Sequence, residues 1–256
     1  MSGMSEKRLA VVDSGYGGIS ILNSLYQAKN GRLQALCFAD QKNVPYGNRQ
    51  SEEIIAIMSK NVKWLQNQGI NEVLLACNTT SAVALEQLRL DFPQISFTGI
   101  IDMTSSLLEN QELERVLVLA TAATIKSQAY RYSLMKFKAA KEIVEKALPE
   151  LVDLIESLAS EKAIYNYLKR ELAEYKKAFS AIILGCTHYA LVKDMIKEIC
   201  QCERIIDSNM AVYDFAAGLP NKQEQVVIYT SGDAAVLKKQ QYKLFGTDFQ
   251  VEHVDL

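Results

Sequence analysis

The chain has 256 residues, 49% of them hydrophobic and 23% charged, with 28 Lys and Arg against 30 Asp and Glu and a formal net charge of -2. That balance excludes a disordered chain and leaves enough length for one or two domains with a sizeable core. It argues against a broad electrostatic surface for nucleic acid or anionic lipid, and no run approaches the roughly 18 apolar residues of a membrane helix.

In chain order, short β-like runs alternate with longer amphipathic stretches. RLAVVDSG reads as a strand entering a glycine-rich turn, and ISILNSLYQAK as a helix. LQALCFAD is a second strand and SEEIIAIMSKNVKWLQNQG a helix closed by Gly69. NEVLLAC, the helical TSAVALEQLRLDF and the strand ISFTGII complete the first cycle. The cycle restarts with the strand LERVLVLAT and a turn and helix over AATIKSQAYRYSLMKF. KEIVEKA fits strand or helix, whereas LPELVDLIESLA and SEKAIYNYLKRELAEYKKA are helical. The strand SAIILGC, the helix HYALVKDMIKEIC, the strand CERIIDS and a helix at MAVYDFAAGL follow. The tail holds EQVVIYTSGD, a helix around AAVLKKQQYKLFG and the strand-like FQVEHV. Strands rich in Val, Ile and Leu on both faces suit parallel sheets covered by helices. The expected fold is α/β, with two similar parallel-sheet lobes, helices on both faces, a pseudo-twofold relation and an active site between them. The first lobe would be 1–97 plus the returning tail 207–256, and the second 98–206.

The N-terminal MSGMSEKRLAVVDSG has no apolar stretch long enough for a secretory signal, so a cytoplasmic protein is expected. The basic run 131–146 is interrupted by glutamates and apolar residues and reads as solvated surface. Cysteines stand at 37, 77, 186, 200 and 202, an odd count that argues against a disulfide scaffold. Cys200 and Cys202 read as structural residues at a helix end. With only His188 and His253 available, no multi-histidine metal centre is possible. Cys77, Cys186 and His188 fit no zinc-finger or ribbon spacing.

Ligands of open parallel sheets bind beyond the C-terminal strand ends. The turns at such positions are 13–15, Asp40 onwards, 77–79, 121–124 and 186–188. In DSGYGG the glycines would let backbone amides approach an anion, although Asp13 would repel a phosphate, and a simple tight turn fits as well. NVPYGNR reads by itself as a surface turn, or as a loop fixed over a small ligand.

Cys77 and Cys186 each follow a strand run and precede a helix, where exposed amides favour the thiolate. Either could be a small buried hydrophobe. Cys186 with His188 could serve a thiol hydrolase, but that leaves Cys77 unexplained. Two thiols on opposite lobes suit a different chemistry, in which one removes a proton from a carbon and the other supplies one to its opposite face.

The ordered series DSGYGG, NVPYGNR, ACNTTSA, LATAATIKSQAY, LPELVDLIE, LGCTHYALV, IIDS and TSGD resembles the cofactor-independent glutamate racemases of the aspartate/glutamate racemase superfamily. The resemblance spans nearly the whole chain. It implies interconversion of L- and D-glutamate without pyridoxal phosphate or metal, supplying D-glutamate for peptidoglycan, by a homodimer. Cys77 would take the α-proton of the D-isomer with help from Asp13. Cys186 would take that of the L-isomer, helped by Glu156 and His188. Ser14, Pro45, Tyr46, Gly47, Asn78, Thr79, Thr121, Thr124 and Thr187 would shape or bind the substrate. Tyr16 stands where the family commonly has a small aliphatic residue, which bears on pocket volume. Racemisation of aspartate or another amino acid, and a non-catalytic bilobed amino-acid-binding protein, are the competing readings.

Overall fold

The computed structural model describes residues 8–223 and 225–256. Residues 1–7 of the N-terminal stretch MSGMSEKRLAVVDSG and Glu224, the expected start of the tail strand, lie outside them. The first cycle runs β1 (Leu9–Asp13), α1 (Gly17–Ala28), β2 (Gln34–Ala39), α2 (Ser51–Asn67), β3 (Glu72–Leu75), α3 (Asn78–Val83), α4 (Leu85–Asp91), β4 (Ser96–Gly99) and α5 (Ile100–Ser106). The second runs β5 (Leu113–Ala120), α6 (Ala122–Ser127), α7 (Ala129–Lys136), β6 (Ala140–Ala147), α8 (Leu151–Glu156) and α9 (Glu161–Leu172), then β7 (Ala181–Gly185), α10 (Lys193–Cys200), β8 (Ile205–Asp207) and α11 (Ser208–Ala217). The tail supplies β9 (Gln225–Thr230), α12 (Ala234–Phe245) and β10 (Gln250–His253).

Among the described residues ten strands form two sheets, one ordered β10-β9-β2-β1-β3-β4 and the other β6-β5-β7-β8. Neighbouring strands in both sheets run parallel. The expected α/β fold with two parallel-sheet lobes is therefore present. The quartet β2-β1-β3-β4 repeats the plan of β6-β5-β7-β8, and the tail strands extend the first sheet along the free edge of β2. Every residue of β1 and β7 is buried, the signature of central parallel strands covered on both faces. An apolar seam joins the lobes: Ile21 and Leu22 of α1, Ile100 and Ile101 of α5 and Val212 of α11 share one cluster with Val116 and Val118 of β5.

Three local outcomes follow from packing. KEIVEKA is the edge strand β6, half-buried and charged, with Lys141 and Glu142 paired to Glu114 and Arg115 of β5. Such charges protect an edge from further pairing and blur its strand pattern. Where a turn and a helix are expected over 122–137 the chain forms two short helices, α6 and α7, parted at Gln128 by its left-handed backbone (φ 58°). HYALVKDMIKEIC opens as a 3₁₀ segment, Thr187–Val192, before α10 begins, so the residues after Cys186 follow a tighter path than those after Cys77.

Candidate active site

In each sheet the strand order reverses beside a central strand, β1 in one and β5 in the other, and ligand crevices form at such switch points. Asp13 ends β1 and Cys77 follows β3 by two residues; Thr121 follows β5 and Cys186 follows β7. The topology thus delivers both thiols to equivalent addresses. They are buried, 6% and 8% exposed, and close enough that charge on Cys186 raises the pKa of Cys77.

On the first side, Ser14 Oγ lies 3.9 Å from Cys77 Sγ. Asp13 is buried and accepts hydrogen bonds from the Gly15 N–H at 3.0 Å and the Thr187 hydroxyl at 3.1 Å. Burial pushes the Asp13 carboxyl up, against the opposing influence of His188 and of those two donors. Cys77 caps α3, as the sequence led us to expect, yet its thiol is pushed up to about 11. Burial is the main cause and the Asp13 charge the second, and together they outweigh the Thr80 backbone N–H that favours the thiolate. The helix-terminal amide does favour the thiolate, as expected, but a short helix start cannot offset desolvation beside a carboxylate.

On the second side, Cys186 Sγ is 3.9 Å from His188 Nδ1, and His188 Nε2 is 2.5 Å from Glu156 Oε1. Burial alone would lower the His188 pKa, but hydrogen bonds to Cys186 and Glu156 and the adjoining negative charge raise it well above the ordinary value. Taken alone this thiol–imidazole–carboxylate order would suit a thiol hydrolase. Cys77, at the matching strand exit of the other sheet, sets it apart.

The glycines of DSGYGG do bring backbone amides to anions, and the anions are the protein's own. Gly15 donates to Asp13, and the Tyr16 N–H donates to Glu156 Oε1 at 3.2 Å. A Cβ on Gly15 would lie 2.1 Å from Glu156 Oε1, and one on Gly17 2.0 Å from Thr187 Oγ1. Each lobe therefore supports the other's carboxylate: Thr187 donates to Asp13, and the turn after β1 donates to Glu156. The Tyr16 ring is buried and its hydroxyl points to the Glu156 carbonyl, 3.5 Å away.

The expected substrate-side residues line the same junction. Thr79, Thr121 and Thr124 form a triangle of hydroxyls, with separations of 2.9, 2.9 and 3.3 Å. Asn78 accepts from the Tyr130 hydroxyl at 2.6 Å and reaches Ser208. NVPYGNR is not a surface turn. Tyr46 is 1% exposed, Gly47 is buried, and a Cβ on Gly47 would lie 2.5 Å from Thr121 Cβ. Pro45 is half-buried and lines an open groove with Val44, Glu156 and Ser157. All fourteen expected residues thus occupy one junction between the sheets or its rim, although Thr187 spends its hydroxyl proton on Asp13.

The family model for Asp/Glu/hydantoin racemase matches residues 22–216. The chain belongs to this family of racemases. A glutamate racemase of Aquifex aeolicus is 34% identical over 209 residues, 80% of either chain. A glutamate racemase of Francisella tularensis, solved with D-glutamate, superposes with a TM-score of 0.86 at 26% identity, over 97% of either chain. A Bacillus anthracis glutamate racemase shares the fold with a TM-score of 0.89 at 24% identity, over 98% of either chain.

Three participants escaped the sequence reading of this racemase. Tyr130 orients Asn78, and Ser208 receives bonds from Asn78 and Thr104. Asn61 sits on the buried face of α2 among Ile54, Met58 and Leu65, and a polar residue in that apolar stripe was the available signal. Among the described residues no His, Cys, Asp and Glu cluster is arranged to hold a metal, and no helix is long and apolar enough to cross a membrane.

Proposed function

We propose that the chain interconverts L- and D-glutamate by two-thiol proton transfer at the α-carbon. The observation that carries the reading is a pair of buried thiols at matching addresses, one beyond a strand end of each sheet. A carbon held between them presents one face to each sulfur. Cys77 would remove the α-proton of the D-isomer and Cys186 that of the L-isomer, the opposite thiol donating in each direction.

The half-sites supply what this chemistry needs. From a pKa of about 11, holding Cys77 as a thiolate at neutral pH costs roughly 5 kcal/mol, so the thiol is the resting form. Asp13, pushed up by its own burial, is a better proton acceptor than an ordinary carboxylate and can take the thiol proton during reaction. On the other side His188, its pKa raised between Cys186 and Glu156, holds a proton as imidazolium 3.9 Å from the Cys186 sulfur, the counterpart of the protonated partner that Asp13 becomes. The α-carbanion needs its charge drawn onto the substrate carboxylate, and Asn78, the threonine cluster and the backbone amides after Cys186 are donors for it. Residues 1–97 with 207–256 would form one wall and 98–206 the other, closing to exclude water. By the same resemblance the enzyme would work as a cytoplasmic homodimer, supplying D-glutamate for peptidoglycan.

The test is a panel of amino acids incubated without added cofactor and followed by circular dichroism. Glutamate is expected to lose its optical rotation from either enantiomer. Racemisation of aspartate alone, or of nothing by folded and reduced protein, would overturn the reading.

A further inference from the structure

The motifs TSGD and the start of NVPYGNR meet at a residue with no role in the scheme so far. Asp40, directly after β2, is 1% exposed, and its hydrogen-bonding donors are all neutral. Oδ2 accepts from the Tyr46 hydroxyl at 2.5 Å and the Asn61 amide at 3.2 Å. Oδ1 accepts from the Ser231 hydroxyl at 2.6 Å, and the Asn43 amide spans both oxygens at 3.1 and 3.0 Å. One carboxylate therefore gathers the loop after β2, the buried face of α2 and the exit of β9. Ser231 also accepts from the Lys42 N–H at 3.0 Å, closing the junction between tail and loop.

The gathered loop forms a wall of the site. Tyr46 shares one apolar cluster with Cys77, and burial together with the charges of Asp40 and Cys77 raises its pKa well above the ordinary phenol value. The next residue, Gly47, rests on Thr121 of the second sheet's switch point. A carboxylate offers about four acceptor positions, whereas an amide of the same shape offers one oxygen and turns an NH₂ toward existing donors. The site is thus built for a carboxylate, with no equal-sized replacement.

We propose that Asp40 is a positioning residue for the Cys77 half of the site, holding the Tyr46–Gly47 wall against that thiol and making the exit of the returning strand β9 part of the wall through Ser231. Its importance for turnover rests on Cys77 being a proton-transfer thiol; its positioning role does not, and the test separates the two.

The full chain, Asp40→Asn, the milder Ser231→Ala, Tyr46→Phe and the Asp40→Asn/Tyr46→Phe double variant are treated with iodoacetamide. Alkylation of Cys77 and Cys186 is then timed by peptide mass spectrometry. Asp40→Asn should speed Cys77 alkylation about tenfold while Cys186 stays within about twofold, with Ser231→Ala moving Cys77 less in the same direction. In the Tyr46→Phe background, Asp40→Asn should add less than about twofold, because Asp40 acts through Tyr46. Equal acceleration of both thiols, or no change at either in both Asp40→Asn and Ser231→Ala, would overturn the proposal. A wild-type chain that racemises nothing while Cys77 responds in this way would defeat the glutamate reading and leave the positioning role standing.

Discussion

Cys77 and Cys186 occupy the same address in two sheets of the same plan, and their surroundings are opposite in chemistry. Cys77 begins an α-helix beside a buried carboxylate and a serine hydroxyl, and its thiol is pushed up to about 11. Cys186 begins a 3₁₀ turn beside an imidazole that a glutamate holds from behind. A repeated topology thus fixes where the thiols stand, and the side chains that the other lobe contributes fix what each can do. Glu156 leans on the first lobe's glycine turn and Asp13 on the second lobe's Thr187, so neither half-site is complete within its own sheet.

The comparison breaks most visibly if the thiols are not equally necessary. Cys77→Ser and Cys186→Ser should each cut kcat by about 10³-fold, since neither thiol can serve both faces of the carbon. Steady-state rates from both enantiomers check this, and a variant retaining near-native turnover would dissolve the two-sided scheme.

The helpers come next. Asp13→Asn and His188→Asn should each cost about 10²-fold. Enantiomers have equal free energy, so kcat/KM must fall by the same factor in both directions whichever helper is lost. The asymmetry is expected in the α-deuterium isotope effect, which should grow for D-glutamate with Asp13→Asn and for L-glutamate with His188→Asn. Equal changes for both substrates would show that the helpers are not side-specific.

A third effect concerns protonation. With the Cys77 thiol at about 11, its alkylation should rise close to tenfold per pH unit from about pH 7 to 10, without a plateau, because reactivity follows the thiolate fraction. A plateau below about pH 9 would contradict the burial argument.

The smallest effect is on stability. The folded-state pKa of Asp13 lies above 3.8, so its buried carboxylate opposes folding at pH values above that raised pKa. The penalty fades as pH falls through the raised value, where the native state takes up a proton. Asp13→Asn should therefore stabilise the protein by about 0.5–2 kcal/mol at neutral pH, and by less in acid, while lowering activity. Urea midpoints at the two pH values measure it, and a neutral-pH loss would contradict it.

Much of this was legible in the sequence because it is local. The alternation of buried apolar runs with amphipathic helices gave the two parallel sheets, and cysteine at a strand exit gave both thiol addresses. Glu156 stood where the motif resemblance put it, beside His188. What escaped is non-local. The purpose of Gly15 and Gly17 is to admit Glu156 and Thr187, which lie more than 100 residues away in the chain. NVPYGNR has the composition of a surface turn, and only the Asp40 carboxylate and the contact with Thr121 explain its burial. The rise in the Cys77 pKa depends on how deeply the thiol sits and on Asp13, neither of which strand-and-helix pattern reports.

The central claim, two thiols acting from opposite faces, is tested most directly by following L-glutamate in D₂O through the first few per cent of conversion. Proton removal by one sulfur and delivery by the other predicts D-glutamate fully deuterated at the α-carbon and recovered L-glutamate still unlabelled. Deuterium entering recovered L-glutamate as fast as it enters the product would mean that a single base serves both faces, and the account would fail.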